Sequence, residues 1–292
     1  QLIIDATCVP QDIRFPHDVT LLDEARRKTE EIIDTLYEAT NTTDKKPRTH
    51  RKRARVEYLA FIRGRRRTTS EIRKATRKQL QYLKRNLNNI NKIVEGHGSA
   101  ALTNKQRRDL MVIHEVFRQQ YILYKKRTHS IAGKIMSIAQ PHVRAIARGK
   151  ARAAFEFGAK VSASVTENGM MYIDRLSWEA YNEAEDLPIQ VELYRARFGH
   201  YPESVHADKI YRTRKNREYC KEREIRLSGP HLGRPLLPNV INQKQIRLMK
   251  KIQRNDEGIR QTVEGCFGRL KRKYSLANVY EKLRVTSETT IM

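Results

Sequence analysis

The sequence predicts an α/β fold: a mixed sheet flanked by helices, with a large all-helical insertion after its first strand. Three observations carry this. An apolar, β-branched run opens the chain at residues 2–9. Helical periodicity then dominates to about residue 150. From Phe155 onward short strand patterns alternate with helical ones.

The opening run, LIIDATCV, is long enough for one strand and is bounded by Pro10. Apolar residues on both sides of Asp5 suggest a strand covered on both faces. A carboxylate buried there costs several kcal/mol unless a cation or a partner offsets it. Asp5 is therefore either a structural acid or an acid that binds something positive. Residues 10–18, PQDIRFPHD, read as a proline-punctuated loop. From Val19 to about Ala39 the positions Leu21, Leu22, Ala25, Ile32, Ile33 and Leu36 mark one helical side, with Asp18 as a candidate cap. A polar, basic stretch (41–55) precedes a short helix near 56–62. Ser70 is the expected cap of a longer helix over 71–94, which ends at Gly96 and Gly98. Thr103 opens another helix. Residues 19–150 thus read as one basic helical block between an opening strand and loop (1–18) and a remainder (151–292).

Charge bounds the partners. The 292 residues hold 59 Lys and Arg against 33 Asp and Glu, a formal net charge of +26. Such a surface attracts polyanions, and nucleic acid is the obvious one. Between residues 41 and 100 eighteen Lys and Arg face only Asp44, Glu57, Glu71 and Glu95. Pairing along a helix cannot neutralise that imbalance, so phosphate contact is expected, with Arg51, Lys52, Arg53, Arg65, Arg66 and Arg67 as the densest group. The alternative is a merely solvated face. No apolar run is long enough to span a bilayer, so no membrane partner is expected. Cys8, Cys220 and Cys266 are far apart and lack CxxC spacing, which speaks for a reduced compartment and against a zinc site. The chain enters a strand almost at Gln1, so an upstream N-terminal region is expected to be missing.

In the second half, residues 159–165 and 170–173 flank Glu167–Asn168–Gly169 and read as a hairpin. A helix over 185–199 follows, then a short strand over 204–211 carrying Asp208. Residues 212–224 are helical, 225–227 a strand, 231–242 a loop with two prolines, and 243–276 a final helix. With the helical block removed, this is the element order of the ribonuclease H-like fold. That arrangement sets the ends of two parallel strands side by side at a topological switch point, where Asp5 and Asp208 would converge. His206, two residues before Asp208, would share its face; a packing role is the simpler reading. On the final helix Val263, Phe267, Leu270 and Tyr274 form a core stripe, and Arg260, Glu264 and Lys271 share its border. That trio is either a salt-bridged flank or one acid and two bases facing a groove.

Together these residues resemble the DDE transposases of bacterial insertion sequences, the group with a helical insertion after the first strand. DATCVPQDIRFPHD is similar to the first-Asp motif of that group and HADKIYRTRKNREYC to its second-Asp motif. Arg260, Glu264 and Lys271 match its R-x3-E-x6-K pattern. In related transposases a Tyr precedes that Arg by three positions; here Glu257 stands there. The resemblance implies that Asp5, Asp208 and Glu264 hold two Mg2+ or Mn2+ ions, since hard cations favour carboxylate oxygens. It implies cleavage of double-stranded DNA at transposon ends and transfer of the freed 3′-hydroxyl to target DNA. Arg260 and Lys271 would contact phosphates. Asp12, Asp18 and Glu257 are rivals for the metal role. A homodimer in the synaptic complex and a cytoplasmic, nucleoid-associated location in a bacterium are the matching expectations. The alternatives are a metal-dependent nuclease of the same fold, a non-catalytic transposase-derived DNA-binding protein, and an RNA-binding structural protein. Sparse aromatics (7%) give the last no stacking platform.

Overall fold

A computed structural model describes residues 1–40, 45–150, 153–230, 232–233 and 243–292. The loop expected over 231–242 lies mostly outside the described residues, as do the first residues of the 41–55 stretch. The chain divides into two compact units: Gln1–Asp12 with Arg144–Met292, and Ile13–Val143.

The first unit is built on a mixed sheet. Its strands are β1 (Leu2–Pro10), β2 (Arg144–Lys150), β3 (Ala153–Thr166), β4 (Met171–Ser177), β5 (Ser204–His206) and β6 (Arg226–Leu227). They run β2-β3-β1-β5-β6, and β4 also pairs with β3. β3 is antiparallel to β1, β2 and β4, whereas β1–β5 and β5–β6 are parallel. Central β1 with two antiparallel strands on one side and two parallel strands on the other is the ribonuclease H-like sheet, with β2 added. Residues 144–150 had read as the end of the helical block; they pair with β3 instead, because tertiary pairing outweighs a weak local pattern. The expected hairpin is β3–β4, closed by a turn in which the Thr166 N–H bonds the Met170 carbonyl. At the far end of the β1–β3 ladder Gly158 sits opposite Pro10. A Cβ on Gly158 would collide with the Val9 carbonyl, so only glycine permits this approach.

Alternation along β1 sorts its side chains. Leu2 and Ile4 pack with Leu187 and Val191 of α5 (Asp186–Phe198), with Val205, and with Cys220 of α6 (Arg214–Glu222). Ile3 points the other way, against Ala163, Val165 and Val263, Cys266 and Phe267 of α7 (Gln243–Lys273). By the same two-residue period Asp5 shares the face of Ile3, the face that α7 covers. A last helix, α8 (Arg284–Ile291), follows.

The second unit is all helical: α1 (Asp18–Ala39), α2 (Arg51–Arg63), α3 (Thr69–His97) and α4 (Asn104–Lys126). Leu21, Leu22 and Ala25 of α1 meet Leu80, Leu83 and Leu87 of α3 and Ile113 and Val116 of α4. Thr103 caps α4 as expected, in a capping box with Gln106. The cap of α3 lies two residues before the predicted one: Thr68, not Ser70, is its N-cap, because Glu71 then lies three residues on and closes a capping box. Asp18 does not cap α1; its carboxylate bonds Gln120 and Lys134. Among the described residues no helix is long and apolar enough to cross a membrane.

Candidate active site

Three elements of the first unit carry the predicted site: β1, the turn after β5, and α7. Asp5 is half-buried on β1, and its Oδ1 accepts a hydrogen bond from the Ala6 N–H at 2.8 Å. Burial pushes its carboxyl up to about 6. The Ala6 bond and the charge of Arg260 oppose this, while the charges of Glu183 and Asp208 add to it. Asp208 and Arg260 therefore both act on Asp5, from elements far from it in sequence.

Asp208 differs from its expected setting. β5 stops at His206, and exposed Asp208 caps the 3-10 turn Lys209–Tyr211 by accepting from the Lys209 N–H at 2.7 Å. An Asp at a cap competes with the strand ladder for backbone donors, which ends the strand early. His206 is fully buried and shares no exposed edge with Asp208. Its Nε2 lies 3.1 Å from Ser204 Oγ and its Nδ1 3.5 Å from Asp256 of α7. Burial pushes its imidazole down, so the neutral form is favoured. Asp256 is in turn held by both terminal nitrogens of Arg226 on β6, each at 2.8 Å.

Glu264 is exposed on α7 and is engaged by Arg260, whose Nη1 donates to it at 3.1 Å. Arg260 also bonds Glu257 through Nε and Nη2. One guanidinium thus holds both the third motif acid and its rival. Lys271, in the last turn of α7, is partly exposed and has no ion pair with a described residue. Asp18 is spent on Lys134 in the helical unit.

For a divalent cation the donor chemistry fits. Asp5 and Asp208 are hard oxygen donors, and a cation would relieve the burial and like-charge penalty on Asp5. The geometry is incomplete, since among the described residues no three His, Cys, Asp or Glu come together as a ligand group. Glu264 is turned to Arg260 instead.

The basic group sorts into two kinds. Arg51 forms a bidentate pair with Asp34 at 2.7 and 2.9 Å, and Arg53 bonds Glu57 at 3.3 Å. Arg67 donates to the Phe61 and Ile62 carbonyls at the end of α2 and stacks over the Phe61 ring. Lys52, Arg65 and Arg66 are exposed and have no ion pair with a described residue.

Sequence reasoning missed Glu183, whose charge acts on Asp5, and the Asp256–Arg226 pair. Neither stands in a motif; each acquires its neighbours only through folding. No curated protein and no solved structure matches the chain. Residues 205–292 match the family model described as Transposase DDE domain. The matched stretch holds Asp208, Arg260, Glu264 and Lys271, and Asp5 precedes it. The resemblance drawn from the acidic motifs is therefore supported by a family match over the C-terminal part: residues 205–292, less than half of the chain, are similar to a transposase DDE domain.

Proposed function

We propose that the chain cleaves double-stranded DNA at transposon ends and joins the freed 3′-hydroxyl to target DNA, with Asp5, Asp208 and Glu264 as its catalytic acids. One observation carries this reading. Asp5, half-buried on the central strand, lies in a common field with Asp208 and with Arg260, which holds Glu264. Asp5 and Asp208 come from distant parts of the chain, and a packing role asks for no such proximity.

The three carboxylates would hold Mg2+ or Mn2+, which would supply Lewis-acid charge at the scissile phosphodiester. The chain's own residues do the rest. Arg260 restrains Glu264 and Glu257 until a phosphate competes for its guanidinium, which frees Glu264 toward Asp5 and Asp208. Lys271, with no ion pair among the described residues, meets a flanking phosphate. Lys52, Arg65 and Arg66 bind the DNA backbone without reading sequence. In this reading Gln1–Asp12 with Arg144–Met292 is the catalytic core and Ile13–Val143 the insertion. Two copies pair the two transposon ends, in a bacterial cytoplasm at the nucleoid.

The test is cleavage of a terminal-repeat duplex with and without Mg2+ or Mn2+. Asp5→Asn, Asp208→Asn and Glu264→Gln should each lose cleavage by at least about 100-fold, as removal of a transition-state electrostatic contact does, and keep DNA binding. Cleavage without joining to target DNA would mark a nuclease of the same fold. Metal-independent binding with no cleavage would mark a non-catalytic DNA-binding protein.

A further inference from the structure

We propose that Arg212 is a phosphate-binding residue of this site, seated by Gly229 so that Nη1 of its guanidinium donates to a DNA phosphodiester. The assignment rests on the DNA-processing reading above and adds a residue outside the three acidic motif positions and their two basic partners.

Arg212 lies four residues beyond Asp208, at the end of the 3-10 turn that Asp208 caps. Its Nη2 donates to the carbonyl of Ala207, the residue before Asp208, at 2.9 Å. The Ala207 N–H is held by Ser228 Oγ at 3.3 Å, so the segment before Gly229 and the segment before Asp208 are tied together. Gly229 has φ +103, a conformation side chains rarely adopt, and a Cβ there would overlap the guanidinium carbon, Nε and Nη1 of Arg212. The guanidinium occupies the space that glycine leaves open.

That seat leaves donors unused. Among the described residues Nε of Arg212 is buried without a hydrogen-bond partner, and Nη1 has none either. The other two arginines in its field are spent: Arg217 bonds the Arg212 and Pro230 carbonyls, and Arg260 bonds Glu257 and Glu264. Burial pushes the Arg212 guanidinium below its ordinary range, and the charges of Asp208 and Glu257 draw it back. A half-buried arginine that bonds no carboxylate, fixed beside an acidic site, is placed to take an oxyanion. Nη1, held in place by the Ala207 bond and the Gly229 contact, is a directed donor for a phosphodiester oxygen, where a lysine would offer only a point charge.

The experiment measures affinity of the full chain for a terminal-repeat duplex in EDTA against KCl concentration, and in parallel Mn2+-dependent cleavage by the wild type. Each phosphate contact contributes about −0.9 to the slope of log K against log salt. Arg212→Gln and Gly229→Ala should each flatten the slope by about 0.9, the second without removing the arginine. An unchanged slope in Arg212→Gln overturns the assignment. If that variant does not fold, Arg212→Lys decides. It keeps the slope and weakens binding by about threefold through loss of the Ala207 bond that aims the group, and unchanged binding overturns the assignment. Absence of cleavage by the wild type would instead defeat the transposase reading, and the salt slopes would still decide what Arg212 binds.

Discussion

Removing Asp256 should loosen α7 where it carries the third motif acid. Among the described residues the buried ones of this long helix are Asp256, Val263, Cys266 and Phe267, so Asp256 is the buried anchor of its first half. Its carboxylate is 6% exposed and takes two bonds from Arg226 at 2.8 Å. Breaking a fully buried pair costs about 3–5 kcal/mol, but the Arg226 side chain is 49% exposed and can be rehydrated. His206, at 3.5 Å, adds little. Asp256→Ala should therefore cost about 2 kcal/mol, within the range for charged hydrogen bonds. In a unit of this size that is a fall in Tm of about 4–8 °C. Urea denaturation of Asp256→Ala, Arg226→Ala and the double variant measures it. The two losses should overlap, leaving a coupling near 2 kcal/mol, and Glu264-dependent cleavage should fall with the first variant. A coupling below about 0.5 kcal/mol, where independent sites add, would refute the reasoning.

Two further outcomes follow from the packing and charge. Gly158→Ala places a Cβ against the Val9 carbonyl of central β1, so it should cost about 3 kcal/mol or more in urea denaturation; a loss under about 0.5 kcal/mol would mean the ladder bends freely there. Asp34 is held below the usual carboxylate range by its bonds to Arg51 and, against the opposing effect of burial, to Lys46. Its folded pKa lies below the unfolded one, so this stability is present above the unfolded value and is lost as pH falls through the folded one. Arg51→Ala should thus lower stability at pH 7 by up to about 1 kcal/mol, the pair being half exposed, with the difference from wild type vanishing in acid. Lys52→Ala, beside it, should leave the melting curve unchanged and weaken DNA binding; the reverse pattern would show that the two roles are wrongly divided.

Much of this molecule is written in local pattern. The apolar run 2–9, the hairpin around Gly169, the capping boxes at Thr68 and Thr103 and the stripe Val263–Phe267 involve neighbours within a turn or a ladder step. Their signals therefore survive in sequence, although the cap of α3 was read two residues late. β2 was not legible, because a strand at residues 144–150 is stabilised by pairing to β3 and not by its own composition. Asp208 looked like a strand residue, but its side chain bonds the backbone of the turn instead.

Sequence alone determined which residue types are available: three motif acids, a basic helical stretch, and a net charge that calls for a polyanion. Only the tertiary structure decided which of those charges remain free. Arg51, Arg53 and Arg67 are indistinguishable from Lys52, Arg65 and Arg66 as letters, yet the first three find partners in the fold. The same holds for Glu264, claimed by Arg260, and for Arg212, seated under a glycine seventeen positions away. A charge has a fixed identity in the chain, but its availability depends on what lies within a few ångströms, and that is a property of the folded molecule.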